Sequence, residues 1–370
     1  MLIAHLSDFH ISRHGSRLTQ LKELTRRATR GNGWETISEE DGWTIQLKAA
    51  EGRRFQLKDR LRLVDDTGAV HLVLKTSRSS RKRQKVMGEL RAHMEIRNRT
   101  TPAALSHRFP SESELGKLLR ADPDNLNLRF CKLAYRLREA PPDHIVITGD
   151  LTDDAEGFEL VLEGLAPWFE HGRVSCVPGN HDLYPSPPVW VPKHKRKTEA
   201  EKRRAWADFC AQAGLPAQGS YPRTLGKDVS LLCLDSCHRP PIPGSASGLV
   251  RQRELKALLR DATGELVMAC LHHHVVNPPV KAVGPAPLQA GMRLRNAKRV
   301  YQTLRDSRVQ VVMNGHRHLG YRFHPAHSPL ILSAPSSTIG CRSGGPSFYW
   351  QLQVVQGTVQ RVQEIAVALD

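Results

Sequence analysis

Residues 174–182 of the 370-residue chain are Val-Ser-Cys-Val-Pro-Gly-Asn-His-Asp, a short apolar run that ends in polar side chains. The apolar part has the length of a buried strand, and the Pro-Gly pair that follows it is a turn signal. We therefore predict a strand that delivers Asn180, His181 and Asp182 at its carboxyl end. In α/β sheets, ligand and catalytic sites are built at this end of the strands.

Six further apolar runs end in the same way. With residues 174–177, the predicted strands are residues 1–6, 144–148, 229–234, 266–271, 309–313 and 330–332. Helical patterns fall between several of them, at residues 128–138, 157–169, 253–259 and 297–305. Residues 348–367 alternate between apolar and polar and predict a terminal hairpin. Strands that alternate with helices indicate a layered α/β fold.

The composition is that of a globular protein with a substantial core, since 39% of the residues are hydrophobic and 25% are charged. No apolar run approaches the ~20 residues of a membrane helix, so we expect no transmembrane segment. The first ten residues contain an aspartate and two histidines, so we expect no secretion signal. The seven cysteines form no CxxC pair, which predicts reduced thiols in the cytoplasm.

The charge is unbalanced, with 54 Lys and Arg against 37 Asp and Glu, or a formal net charge of +17. Such an excess favours polyanionic partners such as nucleic acid, nucleotides or acidic lipid. The alternative is an ordinary solvated surface in a basic proteome.

One stretch interrupts the α/β rhythm, because 141 residues separate Asp8 from Asp150. Within it, residues 43–47, 55–63 and 70–74 alternate in polarity, and a helix is expected near residues 84–96. We predict a small, basic insertion over residues 14–105, β-rich and then helical, with residues 1–13 and 106–370 as the main domain. Residues 51–100 hold 14 Lys and Arg against 6 Asp and Glu. The densest part is residues 78–85, and a second basic run, residues 193–204, is predicted to start a helix.

Metal-ligand side chains follow several of the predicted strands. A set of carboxylates, one amide oxygen and imidazoles suits Mn²⁺, iron, Zn²⁺ or Co²⁺ better than Ca²⁺. Two metals close together need one bridging carboxylate and about three further ligands each. The inventory fits, with Asp150 as the bridge. The candidate ligands are Asp8, His10, Asp150, Asn180, His272, His316 and His318.

These motifs resemble the calcineurin-like metallophosphoesterase superfamily, whose pattern is D-x-H, G-D, G-N-H-[DE], a single His after a strand, and G-H-x-H. The five motifs occur here in that order, and the resemblance covers residues 1–13 and roughly 120–345. They are Asp8-Phe9-His10, Gly149-Asp150, Gly179-Asn180-His181-Asp182, His272 and Gly315-His316-Arg317-His318. The resemblance implies a four-layer α/β/β/α sandwich and two divalent metals, with Mn or Fe favoured over Zn or Co.

The resemblance also implies a role for each residue. One metal would be held by Asp8, His10, Asp150 and His318, and the other by Asp150, Asn180, His272 and His316. His181 would stabilise or protonate the leaving oxygen, and Asp182 would orient His181; the alternative for Asp182 is a helix N-cap. Three histidines follow one another at residues 272–274. His272 is the first choice of ligand and His273 the second.

The implied reaction is hydrolysis of a phosphodiester by a metal-bridged hydroxide. Within the superfamily, four segments resemble the class III cyclic-nucleotide phosphodiesterase and glycerophosphodiesterase branch, so a cyclic nucleotide or similar small diester is the expected substrate. These segments are residues 149–153, 234–236, 271–274 and 333–338. One alternative is a nuclease that grips DNA or RNA through the basic insertion. Another is a phosphoesterase of other specificity whose insertion docks on a protein or membrane. The oligomeric state is left open.

Overall fold

A computed structural model describes residues 1–29, 33–50, 58–77, 79–184, 197–238, 245–279, 291–342 and 346–367. The strands in these ranges are β1 (Leu2–Leu6), β2 (Glu35–Glu40), β3 (Trp43–Lys48), β4 (Asp59–Asp65), β5 (Val70–Thr76), β6 (His144–Ile147), β7 (Val174–Cys176), β8 (Tyr221–Gly226), β9 (Val229–Leu234), β10 (Leu266–Leu271), β11 (Val309–Asn314), β12 (Tyr321–Phe323), β13 (Leu330–Ser333), β14 (Phe348–Val355) and β15 (Thr358–Ala366). The helices are α1 (Leu18–Thr29), α2 (Ser80–Arg99), α3 (Pro102–His107), α4 (Glu112–Ala121), α5 (Leu126–Glu139), α6 (Phe158–Gly164), α7 (Ala166–Phe169), α8 (Asn180–Leu183), α9 (Glu199–Ala213), α10 (Gln252–Asp261) and α11 (Ala297–Arg305).

Two sheets face each other and are covered by helices on their outer sides. One sheet has the order β15-β14-β1-β6-β7, and the other has the order β12-β13-β11-β10-β9-β8. Apolar residues of both sheets, such as Ile3, Val146 and Met268, fill the space between them. Helices α4, α5, α6 and α9 pack outside the first sheet, and α10 and α11 pack outside the second. The predicted α/β/β/α sandwich is therefore confirmed.

The parallel ladders bring the candidate ligands to one edge. Strand β1 pairs in parallel with β6, and β6 pairs in parallel with β7. In the second sheet, β10 runs parallel to both β9 and β11. Because parallel strands end on the same side of their sheet, the residues after β1, β6, β7, β10 and β11 lie near one another.

Most of the predicted elements are present, with some differences in length. The pattern at residues 157–169 forms two helices, α6 and α7. Helix α7 begins at Ala166, and Pro167 lies in its first turn, where proline is tolerated. The terminal hairpin is confirmed as β14 and β15. The predicted strand at residues 55–63 begins at Asp59, and residues 51–57 lie outside the described ranges. Residue 78 and residues 193–196 of the two basic runs also lie outside them.

A separate antiparallel sheet has the order β2-β3-β4-β5, and we refer to it as the small sheet. Helix α2 packs on one face, against a cluster that includes Trp43, Leu61 and Leu63. Helix α1 packs on the other face, near Val64 and Val70. Neither α1 nor β2 was expected from the sequence. The boundaries at residues 14 and 105 remain a prediction.

Helix α2 is tied to the rest of the chain by Arg97, which is buried. Its guanidinium donates to Asp122 Oδ1 over 2.8 Å and to the carbonyl oxygen of His14 over 2.5 Å. This connection fixes α2 to the segment that follows the D-x-H motif.

The sequence composition led us to expect no transmembrane segment and reduced cysteines. None of the described helices is both long and apolar enough to cross a bilayer. All seven cysteines are free, and six of them are buried.

We expect Arg97→Met to lower the free energy of unfolding by about 3–5 kcal/mol, because it leaves the carboxylate of Asp122 buried and unpaired. Urea denaturation measures the change. The control is Arg99→Met, two residues along the same helix, where the side chain is exposed. Equal losses in the two variants would contradict the tie between α2 and the main fold.

Candidate metal centre

The candidate ligands occupy strained backbone. Nine non-glycine residues of the described chain have positive φ, and five of them are candidate ligands. These are Asp8 (φ 56°), His10 (51°), Asp150 (52°), His316 (74°) and His318 (53°). Left-handed backbone costs a non-glycine residue about 1–3 kcal/mol and tends to gather at functional sites. The turns after β1, β6 and β11 therefore adopt a strained, left-handed backbone that positions the side chains of these candidate ligands.

A first group contains Asp8, His10 and His318. Their ligand atoms lie within 4.8 Å of one another. The two Nε2 atoms of His10 and His318 are 2.8 Å apart, and His318 Nε2 is 3.4 Å from Asp8 Oδ1.

A second group contains Asp150, His272 and His316, again with ligand atoms within 4.8 Å. His272 Nε2 is 3.4 Å from Asp150 Oδ2 and 3.0 Å from His316 Nδ1. The amide oxygen of Asn180 lies 3.2 Å from His272 Nε2, so Asn180 belongs to this group as well.

Asp150 faces both groups. Its Oδ2 is 3.4 Å from His272 Nε2 and 3.9 Å from His10 Nε2. Its side chain is almost fully buried. The structure therefore brings all seven candidate ligands together, with one carboxylate between the two groups. Imidazole nitrogens with carboxylate and amide oxygens are the donors that Mn²⁺, iron, Zn²⁺ or Co²⁺ accept, so these residues fit two divalent cations.

A second set of contacts orients the candidate ligands. His10 Nδ1 is 2.6 Å from Asp153 Oδ1, and His272 Nδ1 is 2.7 Å from the carbonyl oxygen of Thr148. Ser7 Oγ donates to Asp8 Oδ2 over 2.5 Å. Such partners fix the ring or carboxylate that binds a metal. Asp153 and Ser7 had no assigned role in the sequence analysis, although Asp153 stands in the G-D-L-T-D stretch.

The loop after β13 also supports the D-x-H turn. Ser336 Oγ donates to the carbonyl oxygen of Asp8 over 2.6 Å, and Thr338 Oγ1 donates to that of Phe9 over 2.7 Å. These two hydrogen bonds stabilise the backbone of the D-x-H motif.

Glycine is required where two motifs approach most closely. A Cβ atom on Gly179 would lie 2.0 Å from Asp150 Oδ1 and 2.1 Å from the Asp150 nitrogen. Any larger residue would displace the carboxylate that faces both groups. This contact explains in physical terms why glycine precedes Asn180.

The three consecutive histidines point to different partners. His272 lies in the second group. His273 has its Nδ1 2.9 Å from Ser236 Oγ and its Nε2 3.0 Å from the carbonyl oxygen of Ala246. His274 Nδ1 is 2.8 Å from the hydroxyl of Tyr321. Of the three rings, only that of His272 faces Asp150.

His181 lies beside the first group, and its side chain is 21% exposed. Its backbone nitrogen donates to Asp150 Oδ1 over 2.9 Å. Its Nδ1 is 3.2 Å from Asp153 Oδ1. The ring is thus accessible from solvent, while the backbone of His181 is bound to Asp150 and its ring faces Asp153.

The hydrogen bonds of Asp182 in the described chain go to the backbone, so the expectation that it orients His181 stays a prediction. The buried carboxylate of Asp182 accepts from the backbone nitrogens of Gly179 and Thr152, over 2.9 and 3.0 Å. Asp182 therefore fixes the loop at the start of α8, as its alternative reading as a capping residue predicted. The carboxylate that faces the His181 ring belongs to Asp153.

Lys202, on helix α9, supports the loop that carries His181. It belongs to the basic run at residues 193–204, but its side chain is fully buried. Its Nζ donates to the carbonyl oxygens of His181 and Asp153, over 2.7 and 3.3 Å, and lies 3.2 Å from Asp154 Oδ1. Lys202 thus ties helix α9 to the two segments that carry His181 and Asp153, and does not face a substrate.

Burial and the neighbouring carboxylates shift the pKa of His10 in opposite directions. Burial alone would lower the pKa of His10, but the carboxylate of Asp153 beside it raises that pKa to about 10. In the metal-free protein His10 is therefore protonated at neutral pH. A metal that binds there must displace a proton, so metal affinity should rise with pH below 10.

Two sheets with seven nitrogen and oxygen donors at a common edge define a metal-dependent phosphoester hydrolase. The chain belongs to the calcineurin-like phosphoesterase family, whose sequence model matches residues 124–320. Members of this family use a dinuclear site of divalent metals.

Several solved structures are similar to this chain at low sequence identity. A dimetal phosphatase from Danio rerio is 13% identical with a TM-score of 0.41, over 65% of this chain and 86% of that chain. A purple acid phosphatase from yellow lupin (Lupinus luteus) seeds is 10% identical with a TM-score of 0.39, over 65% of this chain and 49% of that chain. A metallophosphoesterase from Sphaerobacter thermophilus is 13% identical with a TM-score of 0.30, over 64% of this chain and 82% of that chain. No curated protein sequence matches the chain significantly.

We expect Asp153→Asn to reduce the number of protons released when Mn²⁺ binds at pH 7. Without the carboxylate, the pKa of His10 falls, so fewer molecules carry the proton that the metal displaces. Isothermal titration calorimetry in two buffers of different ionisation enthalpy measures the release. The control is Asp261→Asn, an exposed carboxylate on α10. Unchanged proton release in Asp153→Asn would contradict the assignment of Asp153 as the partner of His10.

Proposed function

We propose that this metallophosphoesterase hydrolyses phosphodiesters, and that its substrate is a cyclic nucleotide or a similar small diester. The observation that carries the proposal is the position of Asp150 between two groups of donors. One group, with Asp8, His10 and His318, would hold the first metal. The other, with Asn180, His272 and His316, would hold the second.

When bound, two divalent cations of this kind supply hydroxide near neutral pH and offset charge on the phosphate oxygens. The donor set accepts Mn, Fe, Zn or Co, and the family resemblance favours Mn or Fe among them. The chain itself orients these ligands through Asp153, Thr148 and Ser7, whose contacts are described above.

We assign protonation of the leaving oxygen to His181. Its Nδ1 faces Asp153 Oδ1 at 3.2 Å, which leaves Nε2 as the atom that would hold the transferred proton. The partial exposure of the ring supports contact with a substrate. Asp153 is then the group that orients His181.

The proposal that the substrate is a diester rests on the sequence resemblance to one branch of the superfamily, the class III cyclic-nucleotide phosphodiesterases and glycerophosphodiesterases. The segments that resemble cyclic-nucleotide phosphodiesterases and glycerophosphodiesterases include residues 149–153, 271–274 and 333–338. In the structure, each of them contributes a contact to the candidate metal centre: Asp153 to His10, His272 to Asp150, and Ser336 to Asp8. The resemblance is thus concentrated at the residues that would decide chemistry.

The test compares Mn²⁺-supported hydrolysis of 3′,5′-cyclic AMP, bis(p-nitrophenyl) phosphate and p-nitrophenyl phosphate. We expect both diesters to be cleaved faster than the monoester. Asp150→Ala should reduce every rate more than about 100-fold, since losing even an outer partner of a metal ligand costs 10–100-fold. Asp208→Ala, an exposed carboxylate on α9, is the control and should retain activity.

Two results would count against the proposal in different ways. Faster cleavage of the monoester would overturn the diester assignment and leave the metal-dependent chemistry in place. Cleavage of the chromogenic diester without cleavage of cyclic AMP would overturn the cyclic nucleotide as substrate.

A further inference from the structure

Three cations stand in one row across the small sheet. Strand register pairs Lys48 on β3 with Arg60 on β4, and Arg60 with Lys75 on β5. Directly opposite residues of an antiparallel pair project from the same face. Arg60 and Lys75 are exposed, and Lys48 is half-buried. With neighbouring strands about 4.8 Å apart, the row extends roughly 10 Å over three strands.

The three neighbouring positive charges of this row repel one another in the isolated protein. Like charges directly opposite each other destabilise a sheet. Within the described ranges, no carboxylate lies within 4.0 Å of any of the three side chains. The nearest cation on the same face, Arg62, also has neutral partners, since it donates to Gln46 Oε1 over 2.8 Å and to the carbonyl oxygen of Ala28 over 3.1 Å.

The same end of the small sheet receives further positive charge from helix α2. Its first turns carry Arg81, Lys82 and Lys85, all exposed, and no acidic residue stands in the first turn. Cations at a helix N-terminus are disfavoured by the helix dipole. Arg83, between them, is paired with Asp59. Arg81, Lys82 and Lys85 have no ion-pair partner among the described residues, so they add positive charge at this end of the small sheet.

The exposed acidic residues of the four strands all lie on the edge strand, since Asp59 and Asp65 of β4 are buried. Strand β2 has the sequence Glu-Thr-Ile-Ser-Glu-Glu, and its three glutamates are exposed. A broad anionic surface such as a lipid bilayer would meet this edge together with the cationic row and be repelled by it. A narrow, linear polyanion that runs over β3, β4 and β5 would avoid it. The charge pattern thus favours a strand of phosphates over a membrane.

The row is also far from the candidate metal centre. The near end of β3 is Trp43, whose ring centroid is 4.6 Å from that of His14, shortly after the D-x-H motif. Lys48 stands five residues further along the strand, or about 17 Å at 3.4 Å per residue. A single small diester at the metal centre cannot contact both places, whereas a polymer of phosphates can.

An aromatic ring accompanies the cations. The guanidinium of Arg62 lies 4.2 Å from the ring centroid of Trp34, and Trp34 is only partly buried. Proteins that bind single-stranded nucleic acid combine a cationic surface with aromatic rings on which bases stack. We propose that the face of the small sheet carrying Lys48, Arg60 and Lys75 binds the backbone of single-stranded nucleic acid.

The test measures binding, so it does not depend on the proposed phosphodiesterase activity. A fluorescently labelled single-stranded oligonucleotide is titrated with full-length protein in the presence of a metal chelator, at several salt concentrations. The test variant replaces Lys48, Arg60 and Lys75 with glutamine. The matched control replaces Lys227, Lys256 and Lys298, which are exposed cations of the main fold, and so loses the same charge.

We expect the test variant to lose at least about tenfold in affinity, and its salt slope to become less steep by about 2, since three phosphate contacts in a single strand contribute about 0.7 each. The control should keep the affinity and slope of the unchanged protein. Equal losses in the two variants would show a general charge effect and overturn the proposal.

Two further measurements separate binding from folding. The glutamine variant should have an equal or higher Tm, because it removes repulsion within the row. A variant that keeps the charges, with Lys48→Arg, Arg60→Lys and Lys75→Arg, should retain oligonucleotide affinity; loss of affinity there would overturn the proposal. Charge-dependent binding to phosphatidylserine vesicles without binding to the oligonucleotide would overturn it in favour of a membrane.

Discussion

The carboxylate of Asp150 lies where the two sheets meet, and the arrangement of the rest of the site depends on it. It stands within 4 Å of an imidazole from each group, on a residue whose backbone is left-handed. Gly179 makes room for it, and the nitrogen of His181 donates to it. A single side chain therefore couples the turn after β6 with the turns that follow β1, β7 and β10. A fold with parallel strands ending at a common edge is what allows this convergence.

The surrounding polar contacts explain how so many donors can be buried together. Three of the four imidazoles have a second partner: Asp153 for His10, the carbonyl of Thr148 for His272 and the carbonyl of Met292 for His316. Buried polar groups without partners are costly, so these contacts stabilise the site and fix its rings at the same time. Lys202, fully buried, extends this support to the segments that carry His181 and Asp153. We regard Asp153 as the connection between the first donor group and His181.

Much of this could be predicted from the sequence, since buried parallel strands are continuous apolar runs and their ends carried the motif residues. Helix α1 and strand β2 were both missed. Strand β2 has a glutamate-rich sequence without the apolar alternation that marks a strand. The family resemblance favoured His272 among the three histidines, but the sequence could not show the reason, because the partners of His273 and His274 are distant in the chain. The partners of Asp182 were also beyond prediction, because they are backbone nitrogens, which no sequence pattern reveals.

The central proposal is that Asp150 would be shared by two metals. Electron paramagnetic resonance of the protein loaded with two equivalents of Mn²⁺ tests it. We predict the spectrum of a magnetically coupled Mn²⁺ pair in the unchanged protein, and isolated Mn²⁺ in Asp150→Ala. Uncoupled Mn²⁺ in the unchanged protein, or a coupled pair that survives the loss of Asp150, would contradict the assignment.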